Sequence, residues 1–248
     1  MSPRITLQTT ARILRQLRHD PRTIALLVVV PTLLLTLMRY VFQDAAPFPS
    51  GPRYFDKVGL TMLGVFPFTT MFLVTSVAML RERTTGTLER LLTTPVHKLD
   101  LLLGYGLAFA LAAAAQAAVA ATVAYQLLGL HTAASAWTVG ALAVANAVLG
   151  MAIGLFVSAF ARSEFQAVQF LPAFVLPQLL LCGLIWPREG MATGLRRIGD
   201  LMPMTYAVDA LSKAGLDPSR MWRDVAVIVG AILVALLLGA GTLRRRSS

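Results

Sequence analysis

An all-α polytopic membrane protein with six transmembrane helices is the fold class this sequence predicts, on three observations. The 248 residues are 56% hydrophobic and only 14% charged, where a soluble domain carries about 25% charged residues. Mean hydropathy is +0.69. Uncharged runs of about 20 residues recur along the chain, each long enough to cross a bilayer.

Residues 5–20, "ITLQTTARILRQLRHD", predict an amphipathic helix. At about 100° per residue Leu7, Ala11, Ile13, Leu14 and Leu17 share one face, and Gln8, Arg12, Arg15, Gln16 and His19 the other. Such a helix lies in the membrane interface rather than crossing it. Arg18 falls on its apolar side and must snorkel. The first 20 residues lack a short apolar core with a small-residue cleavage site, so no cleaved signal peptide is expected.

The first span is predicted at 23–42, with Pro31 inside it and Arg39 near its far end. Turn formers in "QDAAPFPSGPRYFDK" lead to the second span at 58–80. Residues 101–161 hold no Asp, Glu, Lys or Arg, too long a stretch for one crossing. The polar break "GLHTAASAW" divides it into a hairpin, giving spans at 101–128 and 138–161. Within the latter, Gly150 and Gly154 have the spacing that lets two helices approach closely in lipid. A turn at "ARSE" leads to the fifth span at 165–185, which contains Pro172 and Pro177. A polar stretch at 187–224 precedes the sixth span, 225–243.

Six spans place both termini on one side. Thirteen of the 22 basic residues fall on that side, including Arg4, Arg12, Arg15, Arg18, Arg22 and Arg244–Arg246. Basic residues mark the cytoplasmic side, so both termini are expected there. This distribution accounts for the net charge of +10 without nucleic acid. The single cysteine, Cys182, lies in an apolar run and allows no disulfide within the chain.

Between the second and third spans lies "RERTTGTLERLLTTPV", residues 81–96. Gly86 can cap a short helix, with Glu89 placed to reach back to its N–H. Leu88, Leu91 and Leu92 would share one face, and Pro95 ends the helix because a residue before proline is pushed out of helical geometry. So short a helix is marginal alone in water. Two readings fit: a loop whose leucines lie on the membrane, or a helix presented to a soluble partner.

The run Glu82, Gly86-Thr87, Glu89, Leu91 and Thr94-Pro95 resembles the signature that follows the second span in the permeases of type-2 ATP-binding-cassette exporters. The resemblance covers essentially the whole chain, as a single transmembrane permease domain over 1–248. It implies that 86–95 is a coupling helix seated in a groove of a soluble P-loop ATPase. Leu88, Leu91 and Leu92 would supply apolar contact there, and Glu82, Arg83, Glu89 and Arg90 would set register. "LMPMTYAVDAL" at 201–211 is similar to the region before the last span in the daunorubicin-resistance-like branch. That likeness implies an outer hairpin of two short re-entrant helices within 187–224, with Pro203 between them and Thr205, Tyr206 and Asp209 on the second.

Several chemistries are missing. No Gly-x-x-x-x-Gly-Lys-Ser/Thr loop occurs to cradle nucleotide phosphates. His19, His97, His131 and the lone cysteine form no metal cluster by spacing. Away from their ends the spans hold no ionisable residue of the sort an intramembrane enzyme or ion relay needs. The polar residues inside are neutral, among them Gln116 and Asn146. Phe66, Phe68 and Phe72 of the second span, with Phe165, Gln166, Gln169, Phe170, Phe174 and Gln178 of the fifth, are the candidate substrate pathway. The resemblance places those two spans near the centre of a dimer.

The resemblance therefore implies a non-catalytic permease subunit in a bacterial inner membrane. It would pair with a second permease chain, identical or related, and dock two copies of an ATPase that binds ATP and Mg. It would move a drug, lipid or glycolipid outward. Two rivals are export of a glycan or glycolipid, and a membrane scaffold that recruits a soluble partner without transporting anything.

Overall fold

A computed structural model describes residues 3–43, 54–86 and 98–242. Every regular element in them is helical: α1 Pro3–Arg18, α2 Pro21–Val41, α3 Tyr54–Thr84, α4 Lys98–Gln126, α5 Ala136–Val157, α6 Glu164–Leu181, α7 Thr193–Asp200, α8 Pro203–Leu216 and α9 Trp222–Thr242. Six of these, α2 to α6 and α9, are apolar and long enough to cross a membrane. The chain is thus an all-α polytopic membrane protein.

Local sequence sets the helix starts. Asp20 caps α2: its carboxylate accepts from the Thr23 N–H at 3.2 Å and hydroxyl at 2.6 Å, while Pro21 occupies a first-turn position that needs no N–H donor. Ser135 caps α5 by accepting from Thr138 N, and Ser163 caps α6 by accepting from Gln166 N. In return, Gln166 Oε1 accepts from Arg162 N at 2.8 Å. This Ser-x-x-Gln pairing satisfies one donor that the helix would otherwise orphan, Gln166 N, and the N–H of the residue before the cap.

The centre of the bundle is α3 against α5. In their apolar stretches 61% of residues are buried, against 17% in α2, α6 and α9, which form the periphery. Gly150 and Gly154 permit the central contact. A Cβ at Gly150 would lie 2.1 Å from the Phe68 carbonyl oxygen, and one at Gly154 would lie 2.6 Å from that of Phe72. At 31 residues, α3 is about 46 Å long and overhangs a hydrocarbon core of about 30 Å. Residues 81–84, the start of the motif, are its last helical turn.

Contacts divide the helix ends into two sets. On one side Arg39 Nε donates to the Leu128 carbonyl and Asp56 accepts from the His131 N–H. On that side, too, Ala133 and Ala134 donate to the carbonyls of Gly215 and Ala214. On the other, α1 packs on the start of α4: Thr10 donates to the Gly104 carbonyl at 3.2 Å, and a Cβ at Gly104 would meet Thr9 at 2.6 Å. The buried face of α1 is thus Thr9, Thr10 and Ile13. Leu7, on the apolar face in the sequence, is 60% exposed, and Arg18 is exposed as well.

Candidate functional site

The end of α3 and the start of α4 flank the segment that carries the motif. Thr87, Leu88, Glu89, Arg90, Leu91, Leu92, Thr94 and Pro95 lie outside the described residues. Gly86 has φ +70, the left-handed conformation that glycine adopts one or two residues past a helix C-terminus. It follows Thr84 as the stop of α3, where the sequence suggested a cap for the next helix.

The flanking residues form a tight node. Tyr105, on α4, donates its hydroxyl to Glu82 Oε2 at 2.7 Å. Arg12, on α1, donates to the same hydroxyl oxygen at 2.5 Å and lies 3.6 Å from Glu82. Its guanidinium also sits over the Tyr105 ring, 5.7 Å from the centroid. Glu82 keeps only 14% of its side-chain exposure and Tyr105 is 1% exposed, so water competes weakly for these bonds. Three helices are pinned at one point.

Two further contacts surround the node. Arg81 makes a fork with Glu164 at the start of α6, Nε to Oε1 at 2.7 Å and Nη2 to Oε2 at 3.0 Å. Arg83 donates to Thr242 Oγ1 at the end of α9, at 3.3 Å. The last turn of α3 therefore touches α1, α4, α6 and α9. Glu82 and Arg83 were legible in the motif; Arg12, Arg81, Tyr105 and Glu164 were not.

The nine candidate pathway residues do not share one surface of the chain. Phe68 and Phe72 are 1% and 0% exposed, enclosed by the α3–α5 contact. Phe66 is half-buried. On α6, Phe165 and Phe174 are exposed, as is Gln169, while Phe170 packs on Leu80, Ala161 and Ala167. Gln166 serves the cap of α6. Gln178 is buried, donating to the Phe174 carbonyl at 2.9 Å and accepting from Met204 N at 3.3 Å, which ties α6 to α8.

Toward the opposite end, Pro203 opens α8 and separates it from α7. Thr205 Oγ1 donates to the Gly199 carbonyl and the Tyr206 hydroxyl to that of Asp200. Asp209 accepts from Arg188 at 3.3 Å, and Arg188 also binds Asp200. Burial pushes the Asp209 carboxyl above the usual carboxylate range, against the pull of Lys213 and Arg188. Nearby, Lys213 pairs at 2.5 Å with the buried Asp224. Among the described residues no group of His, Cys, Asp and Glu is placed to hold a metal ion.

The family described as ABC-2 type transporter matches residues 6–216. "ABC transporter G family member 20" of Dictyostelium discoideum is 23% identical over 199 residues, 78% of this chain and 27% of that protein. "Probable multidrug ABC transporter permease YbhR" of Escherichia coli is 25% identical over 150 residues, 60% of this chain and 39% of its own. Its counterpart named YbhS is 26% identical over 166 residues, 65% of this chain and 44% of its own. The chain thus matches less than half the length of each of these relatives.

Proposed function

The chain belongs to the ABC-2 type transporter family, and from that premise we propose that it is the membrane permease of an ATP-driven exporter. Its cargo is a hydrophobic or amphipathic molecule, and the drug- and lipid-exporting branch is the reading that the 201–211 likeness supports. A separate P-loop ATPase supplies the energy, as the likeness of the run from Glu82 to Pro95 to the coupling motif implies. Two permease chains pair, and each docks one ATPase through residues 86–95.

The observation that carries this reading is the node of Arg12, Tyr105 and Glu82. A docking segment transmits force only when its ends are fixed to the elements that must move. Here Glu82 lies just before the segment and Tyr105 just after it, and the two are bonded to each other and to α1. A push on 86–95 would be passed at once to α3 and α4, and through Arg81 to α6. Orientation follows from charge: the basic termini and this node face the cytoplasm, in the inner membrane of a bacterium.

The test is gentle purification of the tagged chain from its native membrane. A soluble P-loop ATPase should accompany it and be lost from a Leu88→Asp, Leu91→Asp double variant. Reconstituted vesicles should then show substrate-stimulated ATP hydrolysis. Recovery of the chain alone, or a partner retained by the double variant, would sink the docking assignment. A partner without ATP-dependent flux would favour a scaffold.

A further inference from the structure

A groove of about 470 Å³ opens beside the node, between the α1–α2 elbow and α3, and no role described above uses it. Its walls are apolar, with Ile13, Leu17 and Leu26 on one side and Leu73, Val77 and Phe109 on the other. Along α3 it runs from Glu82 to Leu73, a rise of about 13 Å, close to half of a hydrocarbon core of about 30 Å. The groove therefore has the depth of one leaflet. Its volume lies within the ~300–1,000 Å³ usual for small-molecule sites.

Its polar end carries one guanidinium, Arg81, and two carboxylates, Asp20 and Glu82. Hydrogen bonds from Thr23 hold the Asp20 carboxyl below its usual range, so it is anionic. Each Asp20 oxygen accepts one bond from Thr23, and a carboxylate has about four acceptor positions. Arg81 spends Nε and Nη2 on Glu164, which leaves the Nη1 donors for an anion. Glu82, by contrast, is already engaged by Tyr105 and Arg12.

We propose that this groove binds one phospholipid with a zwitterionic, primary-ammonium headgroup, the phosphate on Arg81, the ammonium on Asp20 and an acyl chain along α3. Paired opposite charges at headgroup depth, above an apolar slot one leaflet deep, match a phosphoethanolamine lipid on each count. A phosphoglycerol head would set a net negative charge beside Asp20. A trimethylated ammonium would offer Asp20 no N–H donor. The assignment does not depend on the export reading and survives its failure.

The full chain, with whatever it binds, would be placed in nanodiscs containing phosphatidylethanolamine that carries a diazirine in one acyl chain. After illumination, adducts are expected on residues 73–78 and on Phe109, several-fold above those from matched phosphatidylglycerol. Asp20→Asn keeps an N-cap residue of equal quality but removes the charge, and should lower the yield about fivefold, the worth of one modest charge-assisted bond. Ala78→Phe, which fills the slot, should abolish it. Equal labelling by the two lipids would overturn the headgroup assignment. Adducts confined to α9, or unchanged in both variants, would overturn the site.

Discussion

Tyr105 places its hydroxyl between a guanidinium and a carboxylate, accepting from Arg12 and donating to Glu82. Removing that oxygen leaves two partly buried charges 3.6 Å apart without the group that joins them. Tyr105→Phe should destabilise the chain by about 1–3 kcal/mol, the range for orphaning a buried polar partner, and uncouple transport more than it lowers abundance. Thermal melting in detergent reads the first effect, and the ratio of flux to ATP hydrolysis in vesicles reads the second. An unchanged ratio would confine the node to a structural role. The Arg81–Glu164 fork behaves differently: both side chains are more than half exposed, so Arg81→Gln should cost at most about 1 kcal/mol. Glu82 was legible because it heads a dense motif. Tyr105 was not: it stands in an uncharged stretch, 23 residues from Glu82 and 93 from Arg12, and no periodicity reports a pair so distant.

At the scale of elements, the Gly150–Gly154 spacing was readable as a close-packing signal, though not its partner. The partner is α3, whose backbone at Phe68 and Phe72 leaves no room for a methyl group. Gly150→Ala should force α3 and α5 apart and cost about 1–3 kcal/mol. Gly140, in the same helix, has nothing within 4 Å of a built Cβ, so Gly140→Ala should be neutral or stabilise by about 1 kcal/mol or less. Melting temperatures of the two variants, side by side, separate packing from helix propensity. The same close approach explains why Phe68 and Phe72, attractive as pathway aromatics, are enclosed instead. On the opposite side Arg188 joins Asp200 on α7 to Asp209 on α8. Burial raises the Asp209 carboxyl above its ordinary 3.8. The folded form thus holds its proton more tightly than the unfolded chain, and this contribution fades as pH rises through the raised value. Arg188→Gln removes an opposing charge and moves that loss to higher pH. Amide exchange in α7 and α8, corrected for intrinsic rates, should show more opening in the variant at neutral pH than at acid pH. A difference independent of pH would remove Asp209 from the account.

For the whole molecule, the proposed sidedness rests on charge, and the level of the membrane on a second signal. The basic residues mark one side and were counted in the sequence. The other signal needed the structure: Trp137, Trp186 and Trp222 are 90%, 62% and 66% exposed, and each stands at a helix end away from the node. Tyr40 and Tyr54 are exposed there too. Aromatic rings of this kind sit at headgroup level at either interface, and these five mark one membrane plane at the helix ends away from the node. The stretch at 187–224, with six basic residues, pulls against the orientation that the basic termini favour. Within it Arg188 and Lys213 pair with Asp200, Asp209 and Asp224, but the rule counts Lys and Arg rather than net charge. The decisive measurement uses the chain's single cysteine, which is buried and replaceable as Cys182→Ser. In that background, Ala133→Cys should react with a membrane-impermeant maleimide on intact cells, and Arg15→Cys only after the membrane is opened. The reverse pattern would invert the molecule and turn the node away from any cytoplasmic ATPase. Equal reaction of both would break the six-span arrangement itself, because α1 and the α4–α5 turn would then share a side.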